Sequence, residues 1–270
     1  MKLNSRNYYS QKASREYFSV SQFKAFQKCE AMAMAEIRGE YAPEKGRALV
    51  LGSFVDEMLT GTRKSQVKFI EENRDQLLKK NGEYYADVAQ AVETIERIKK
   101  QPTMMHYLGG KHQTIMTGAI EGVPFKIKMD SFDPNEYIAD LKFMASLRSP
   151  NLFTSMISYW GYDVQAAVYQ EIVYQNIGKR LPFYFVVATK ESPAHLEVGQ
   201  INQYNMDKAL DTVKSRIVHF QKIKTGEIPA ERCEDYNCDY CTSTKIITEP
   251  IDTDLFGMST AQIKAMNGDI

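Results

Sequence analysis

The sequence predicts an α/β domain carrying extra helices, on three observations. Helix-type periodicity dominates from Ser19 to about residue 110, an alternating β-branched texture begins at Lys111, and helix and strand signals interleave after Phe143. Neither an internal repeat nor a low-complexity linker interrupts the chain, so residues 1–270 read as one unit. Within it, 1–18 form a flexible N-terminus, 19–110 are mainly helical, 111–202 carry the sheet, and 203–270 hold a C-terminal helix and a cysteine segment.

Residues 1–17 are polar, which predicts weak anchoring. A hydroxyl at Ser19 or Ser21 precedes Phe23, Phe26, Met32, Met34 and Ile37, marking an N-cap and a helix that ends at Gly39. Pro43 places a loop over 41–45, and a helix over 49–59 stops at Gly61. Helical patterns over 65–80 and 84–100 are split by Asn81-Gly82, and Pro102 ends the second. Turns at Glu121-Gly122 and over 133–136 separate three strands, 113–120, 123–132 and 136–143. Helix returns over about 151–176. Strands over 183–189 and 195–201 precede a long amphipathic helix, about 205–224, ended by Gly226, and a short helix follows Ser259.

Apolar residues make up 43% of the chain and charged residues 25%, which excludes disorder and coiled coil as the main architecture. No apolar run approaches the roughly 20 residues that cross a bilayer, and the first residues lack a signal-peptide core, so a cytoplasmic protein without a membrane partner is expected. Lys plus Arg balance Asp plus Glu, 34 against 34, which argues against indiscriminate nucleic-acid wrapping but leaves room for a local basic groove. The lysines of the 205–224 helix read as a solvated face.

The hairpin over 123–143 is the most informative segment. Phe125, Ile127 and Met129 share one face of its first strand, and Lys126, Lys128 and Asp130 share the other. On the second strand Tyr137, Ala139, Leu141 and Phe143 oppose Ile138, Asp140 and Lys142. An odd loop or a bulge sets Asp130 nearly opposite Asp140, with Cβ atoms roughly 5 Å apart, whereas an even loop puts them on opposite faces. The odd loop is expected. Two carboxylates that close repel unless a cation lies between them or one is protonated. Oxygen-only ligands suit Mg²⁺ or Mn²⁺, and Lys142 could orient or deprotonate a water attacking phosphorus. The same alternation also fits an ordinary solvated face on which acids and lysines pair.

Asp130, then Asp140-Leu141-Lys142 on the following strand, resembles the core of the PD-(D/E)xK nuclease superfamily, and within it the RecB-like and RecE-like exonuclease branch of bacteria and phages. The likeness spans about residues 19–241. The segment 18–29, opening Phe-Ser-Val-Ser and closing on Cys29, is similar to the first helix of that branch. Gly52-Ser-Phe-Val-Asp56 stands where a glycine and a metal-binding His are usual, and Gln165-Ala-Ala-Val-Tyr169 matches the Gln-x-x-x-Tyr helix. Two departures are Met129 in place of a proline and Asp56, with Glu57 beside it, in place of the His.

The resemblance implies a restriction-endonuclease-like core, a mixed sheet flanked by helices with an N-terminal helical elaboration. It implies Mg²⁺ or Mn²⁺ held by Asp130, Asp140, the Leu141 carbonyl and Asp56 (or Glu57), with Lys142 positioning the water. Gln165 and Tyr169 would approach the phosphate or the lysine. DNA is the implied substrate, a single-strand annealing recombinase an implied partner, and a homo-oligomeric ring one way to encircle duplex.

The cysteines follow the spacing Cys233-x4-Cys238-x2-Cys241, with Cys29 far upstream. A Cys-x2-Cys knuckle preceded by a third Cys is typical of bound metal. The resemblance adds an iron–sulfur staple joining the N-terminal helix to the C-terminal end, so a [4Fe–4S] cluster is expected ahead of Zn²⁺. Four reduced thiols without metal are the alternative. The four histidines show no ligand spacing.

A metal-dependent DNA exonuclease of phage or prophage recombination, or of DNA repair, is the leading expectation. The alternatives are a CRISPR-adaptation-type iron–sulfur nuclease and a catalytically idle DNA-binding scaffold. No Gly-x4-Gly-Lys-[Ser/Thr] motif is present, so ATP-driven unwinding is not expected of this chain.

Overall fold

The computed structural model describes residues 1–43, 46–148, 155–233, 238–247, 250 and 252–266. The helical first part comprises α1 (Gln11–Glu16), α2 (Val20–Lys28), α3 (Glu30–Arg38), α4 (Arg47–Thr60), α5 (Arg63–Glu72), α6 (Arg74–Leu77), α7 (Ala86–Lys99) and α8 (Pro102–Tyr107). The sheet follows with β1 (Lys111–Ile120), β2 (Val123–Asp133) and β3 (Tyr137–Met144). After α9 (Met156–Tyr159) and α10 (Tyr162–Ile177) come β4 (Phe183–Thr189), β5 (Leu196–Gln200), α11 (Gln203–Thr225), α12 (Asp239–Ser243) and α13 (Thr260–Met266). The start expected for the helix of 151–176 lies outside the described residues.

Five strands run in the order β1-β2-β3-β4-β5, antiparallel except for the parallel pair β3–β4. That pair needs a crossover, which α9 and α10 supply. Successive side chains on the two central strands alternate between two cores. Ile138, Phe183, Phe185 and Val187 pack with α2, α3, α10 and α11, while Leu141, Val186 and Ala188 pack with α4, α7 and α8. The architecture is the mixed sheet flanked by helices that the sequence predicts. Among the described residues no helix is long and apolar enough to cross a membrane.

Three expectations are corrected. First, the N-terminal residues are not loose: Tyr8 and Ala13 are buried, and Phe18 bridges to Phe125 in parallel fashion. The backbone amide of Phe18 donates to the Pro124 carbonyl (2.8 Å) and that of Lys126 to the Phe18 carbonyl (2.8 Å). Polar composition hid this anchoring because it is made by backbone groups and two aromatic rings. Second, this segment packs on the charged face of the hairpin, which the alternation alone also allowed to be an ordinary solvated face. Lys126 is buried, and its ammonium donates to the Tyr8 carbonyl (2.5 Å). Third, the helix expected from Ser19 to Gly39 breaks at Cys29, whose backbone is extended (φ −166°, ψ 115°). Ser19 caps α2, and the Cys29 sulfur caps α3 by accepting from the Met32 amide at 3.4 Å. Periodicity cannot reveal a one-residue break when both flanks bury the same side. Pro102 is also more than a terminator: it occupies the first turn of α8.

Candidate active site

Asp130 and Asp140 are brought together by the register of β2 and β3. Ser131 pairs with Ala139, Phe132 with Ile138 and Asp133 with Tyr137, closed by a loop of three residues, Pro134, Asn135 and Glu136. The loop is odd. The next position of that register sets Asp130 across from Asp140, and there the backbone ladder stops. The Leu141 amide donates instead to Asp130 Oδ2 (3.2 Å). From this point toward its start β2 keeps β1 on one side and gains Phe18 on the other. The acids therefore sit in a fork where two strands part.

On the Asp140 side the fork is filled by a closed ring of contacts. Lys142 forms an ion pair with Asp140 and donates to Gln165 Oε1 (3.0 Å), while Gln165 Nε2 donates to Asp140 Oδ1 (2.5 Å). Gln165 reaches the strand because α10 lies across this face, with Ala166, Ala167 and Val168 buried beneath it. The Lys142 ammonium also lies 4.7 Å from the Tyr162 ring centroid. Tyr169, one turn beyond Gln165, donates to the Lys128 carbonyl (3.1 Å) on β2 and so pins α10 to the other arm of the fork. No hydrogen bond joins it to Lys142, whose side-chain partners are Asp140 and Gln165.

Asp56 comes from α4, on the opposite face of the sheet. Its Oδ1 accepts from the Thr60 hydroxyl (3.3 Å) and its Oδ2 from Gln113 Nε2 (3.3 Å). Glu57 points elsewhere: its Oε1 lies over Gly61, is buried and has no hydrogen-bond partner among the described residues. Of the two neighbouring acids, Asp56 is the one in the field of Asp140.

The electrostatics are those of three acids crowded out of water. Burial, then the charges of Asp140 and Asp56, pushes the Asp130 carboxyl well above the usual carboxylate range. Burial first and Asp140 second raise Asp56 to about 6. For Lys142 burial works against the charge, but Asp140 and Asp130 outweigh it, and its pKa is raised. The three carboxylates are all oxygen donors, and a divalent cation among them would relieve their mutual repulsion. The donor chemistry suits a divalent cation, while among the described residues only the four cysteines bring three or more side-chain ligand atoms within 4.8 Å of one another.

Sequence reasoning missed Gln113, Lys24 and Tyr8. Gln113 has φ 52° and stands unpaired in β1, between the pairs His112↔Ser131 and Thr114↔Met129. Lys24 lies on α2, and Tyr8 and Lys24 line a polar cleft of about 410 Å³ that Gln165 and Tyr169 also line. Only tertiary packing brings Gln113 to Asp56 and sets Tyr8 and Lys24 in the cleft, so no spacing could have found them.

The four cysteines converge. Cys29 and Cys241 sulfurs are 3.5 Å apart, Cys233 and Cys238 are 3.6 Å apart, and all four lie within 4.8 Å of one another. Cys29, Cys238 and Cys241 are buried beside Met32, Tyr41 and Tyr240. Around one tetrahedral ion at about 2.3 Å, thiolates sit about 3.8 Å apart. Around a cubane each thiolate binds a different iron, which holds the sulfurs on the order of 6 Å apart. The spacing fits one ion.

A forked mixed sheet, two acids facing across the fork and a lysine two residues after the second define a protein of the PD-(D/E)xK nuclease superfamily. Residues 19–244 match the model of a family described as a PDDEXK-like domain of unknown function (DUF3799), and the chain belongs to that family. Among solved structures it is similar to a Eubacterium rectale protein described as a "Putative exonuclease", with 37% identity and a TM-score of 0.88 over 96% of this chain and 99% of that one. A comparison with curated protein sequences gives no match.

Proposed function

We propose that this protein is a metal-dependent DNA exonuclease that hydrolyses phosphodiester bonds at the ends of linear duplex. The observation that carries the reading is the fork itself, where Asp130, Asp140, Lys142 and Gln165 meet beside a polar cleft. Asp130, Asp140 and Asp56 would hold Mg²⁺ or Mn²⁺, with the Leu141 carbonyl as a backbone ligand. Such an ion supplies charge neutralisation at the scissile phosphate and at the leaving oxygen. Gln165 fixes Lys142 against Asp140, so the ammonium is positioned to orient the attacking water. Tyr169 holds the two arms of the fork at a set opening. The choice of DNA ends rests on the family likeness and on the description of the Eubacterium rectale protein. A setting in phage or prophage recombination, with an annealing recombinase as partner, rests on the resemblance alone.

At the cysteines, the sulfur spacing favours one tetrahedral ion such as Zn²⁺ over the [4Fe–4S] cluster suggested by the resemblance. That ion is structural, closing the α2–α3 break against the C-terminal segment.

The test is digestion of end-labelled linear and closed circular duplex with Mg²⁺. Loss of label from linear DNA with circles left intact is expected. Circles cut as fast as linear DNA would make the protein an endonuclease, and no cleavage of either would leave the scaffold reading.

A further inference from the structure

A second cleft, of about 600 Å³, adjoins the candidate active site and has no part in the chemistry described so far. Three aromatic side chains line it: Tyr159 at the end of α9, Trp160 just after it, and Tyr204 at the start of α11. They are 46%, 47% and 74% exposed, values that cost apolar surface in a monomer with nothing to cover it. Tyr159 and Trp160 meet edge to face, with ring centroids 5.0 Å apart. Lys24, Lys28 and Lys208 line the same cleft, against one acid, Asp163. Lys208 belongs to the helix whose lysines read from sequence as a solvated face.

The cleft is joined to the fork by Lys24. This lysine lines both clefts, and its ammonium donates to the Trp160 carbonyl (2.7 Å). It also lies 5.7 Å from the Tyr162 ring centroid, the same ring that Lys142 approaches. Gly161 allows the approach: a Cβ there would come within 3.3 Å of the Lys24 stem. Unstacked rings interleaved with lysines suit a chain of exposed bases and phosphates. Duplex bases are already stacked and present no free face, so an unpaired strand fits better.

We propose that this cleft is a stacking platform for the bases of an unpaired DNA strand entering or leaving the fork, an inference that rests on the nuclease reading. Trp160 is the only tryptophan in the chain, which makes it a built-in reporter. The experiment titrates the full-length protein in EDTA with a short oligo-dT and with a blunt hairpin duplex, following tryptophan emission and, with labelled DNA, polarisation. Oligo-dT should quench Trp160 saturably, with an affinity that falls as salt rises. Tyr204→Ala should weaken oligo-dT by about 5- to 150-fold, the loss of one stacked base at ~1–3 kcal/mol, and shift the duplex far less. Oligo-dT binding seen by polarisation with Trp160 silent, or equal effects of Tyr204→Ala on both DNAs, would overturn the platform while leaving the nuclease reading intact. Quenching by protein concentration alone, with dimerisation, would assign the cleft to a second copy and also overturn it. Failure to bind or cut any DNA would instead defeat the nuclease reading.

Discussion

Replacing Asp56 with Asn should make the metal-free protein more stable. The wild-type carboxyl ionises at about 6 in the fold against 3.8 as its ordinary value. Because the folded pKa is raised, the native state holds more protons than the unfolded state between those two values. The contribution of this carboxyl to stability is therefore greatest below about pH 4, falls as pH rises toward 6, and stays flat above. At ~1.4 kcal/mol per pH unit the cost at pH 7 approaches about 3 kcal/mol. The part due to Asp140, and the partial access of Asp56 to water, suggest that ~1–2 kcal/mol is recoverable. Asparagine keeps an acceptor for Thr60, and Gln113 can turn its amide to accept from the new NH₂. For a chain of this size ~1–2 kcal/mol is about 2–8 °C. The assay is thermal melting in EDTA at pH 4 to 8, then in saturating Mg²⁺. The gain should be absent near pH 4, grow to pH 6 and level off, and it should vanish or reverse with Mg²⁺, when wild type alone recovers its full ligand set. A gain independent of pH, or a loss of stability in EDTA at pH 7, would refute the picture of crowded acids.

Asp140→Asn should abolish Mg²⁺-dependent cleavage, and Lys142→Ala should lower turnover by about 10²–10⁴-fold while leaving a Mg²⁺-induced rise in melting temperature. Lys142→Ala also strips Asp140 of its ion-pair partner, so in EDTA it should cost about 3 kcal/mol, read by urea unfolding. Cys29→Ser should remove about one equivalent of zinc by elemental analysis and destabilise by about 2–3 kcal/mol, with turnover changed less. Gly110→Ala should cost about 1–3 kcal/mol in a thermal melt, because a Cβ there would stand 2.8 Å from the Phe132 backbone and press on the β1–β2 ladder next to the fork.

Much of this site could be read from the chain because its central acids are local to one hairpin. Alternation and an odd loop are enough to bring Asp130 and Asp140 face to face, and Gln165 and Tyr169 share a helix face by spacing alone. What the sequence withheld lies between distant segments. The seat of Phe18 on β2 depends on residues more than a hundred positions away, and so does the burial of Lys126 under Tyr8. The partner of Tyr169 was hidden for the same reason. The Tyr169 hydroxyl is engaged by a backbone carbonyl of β2, and only the packing of α10 brings the two together. The break at Cys29 follows from the need to turn a sulfur toward residues near the other end of the chain.

The pairing of the α2 region with α11 and the cysteine segment has a consequence for how the protein is made. Lys224 near the end of α11 donates to the Tyr17 carbonyl (2.8 Å) and to Gln22 Oε1 (2.9 Å), and Cys241 touches Cys29. The segment leading into α2, α2 itself and Cys29 thus acquire these partners only after more than 200 further residues have been made. Contacts of such separation close slowly, because loop entropy must be overcome before they contribute. Because α2 carries Lys24 and lines the polar cleft, a nascent chain holds the hairpin acids but not the wall beside them. On the nuclease reading, the competence to cut would arrive only after α11 and the cysteine segment have been made.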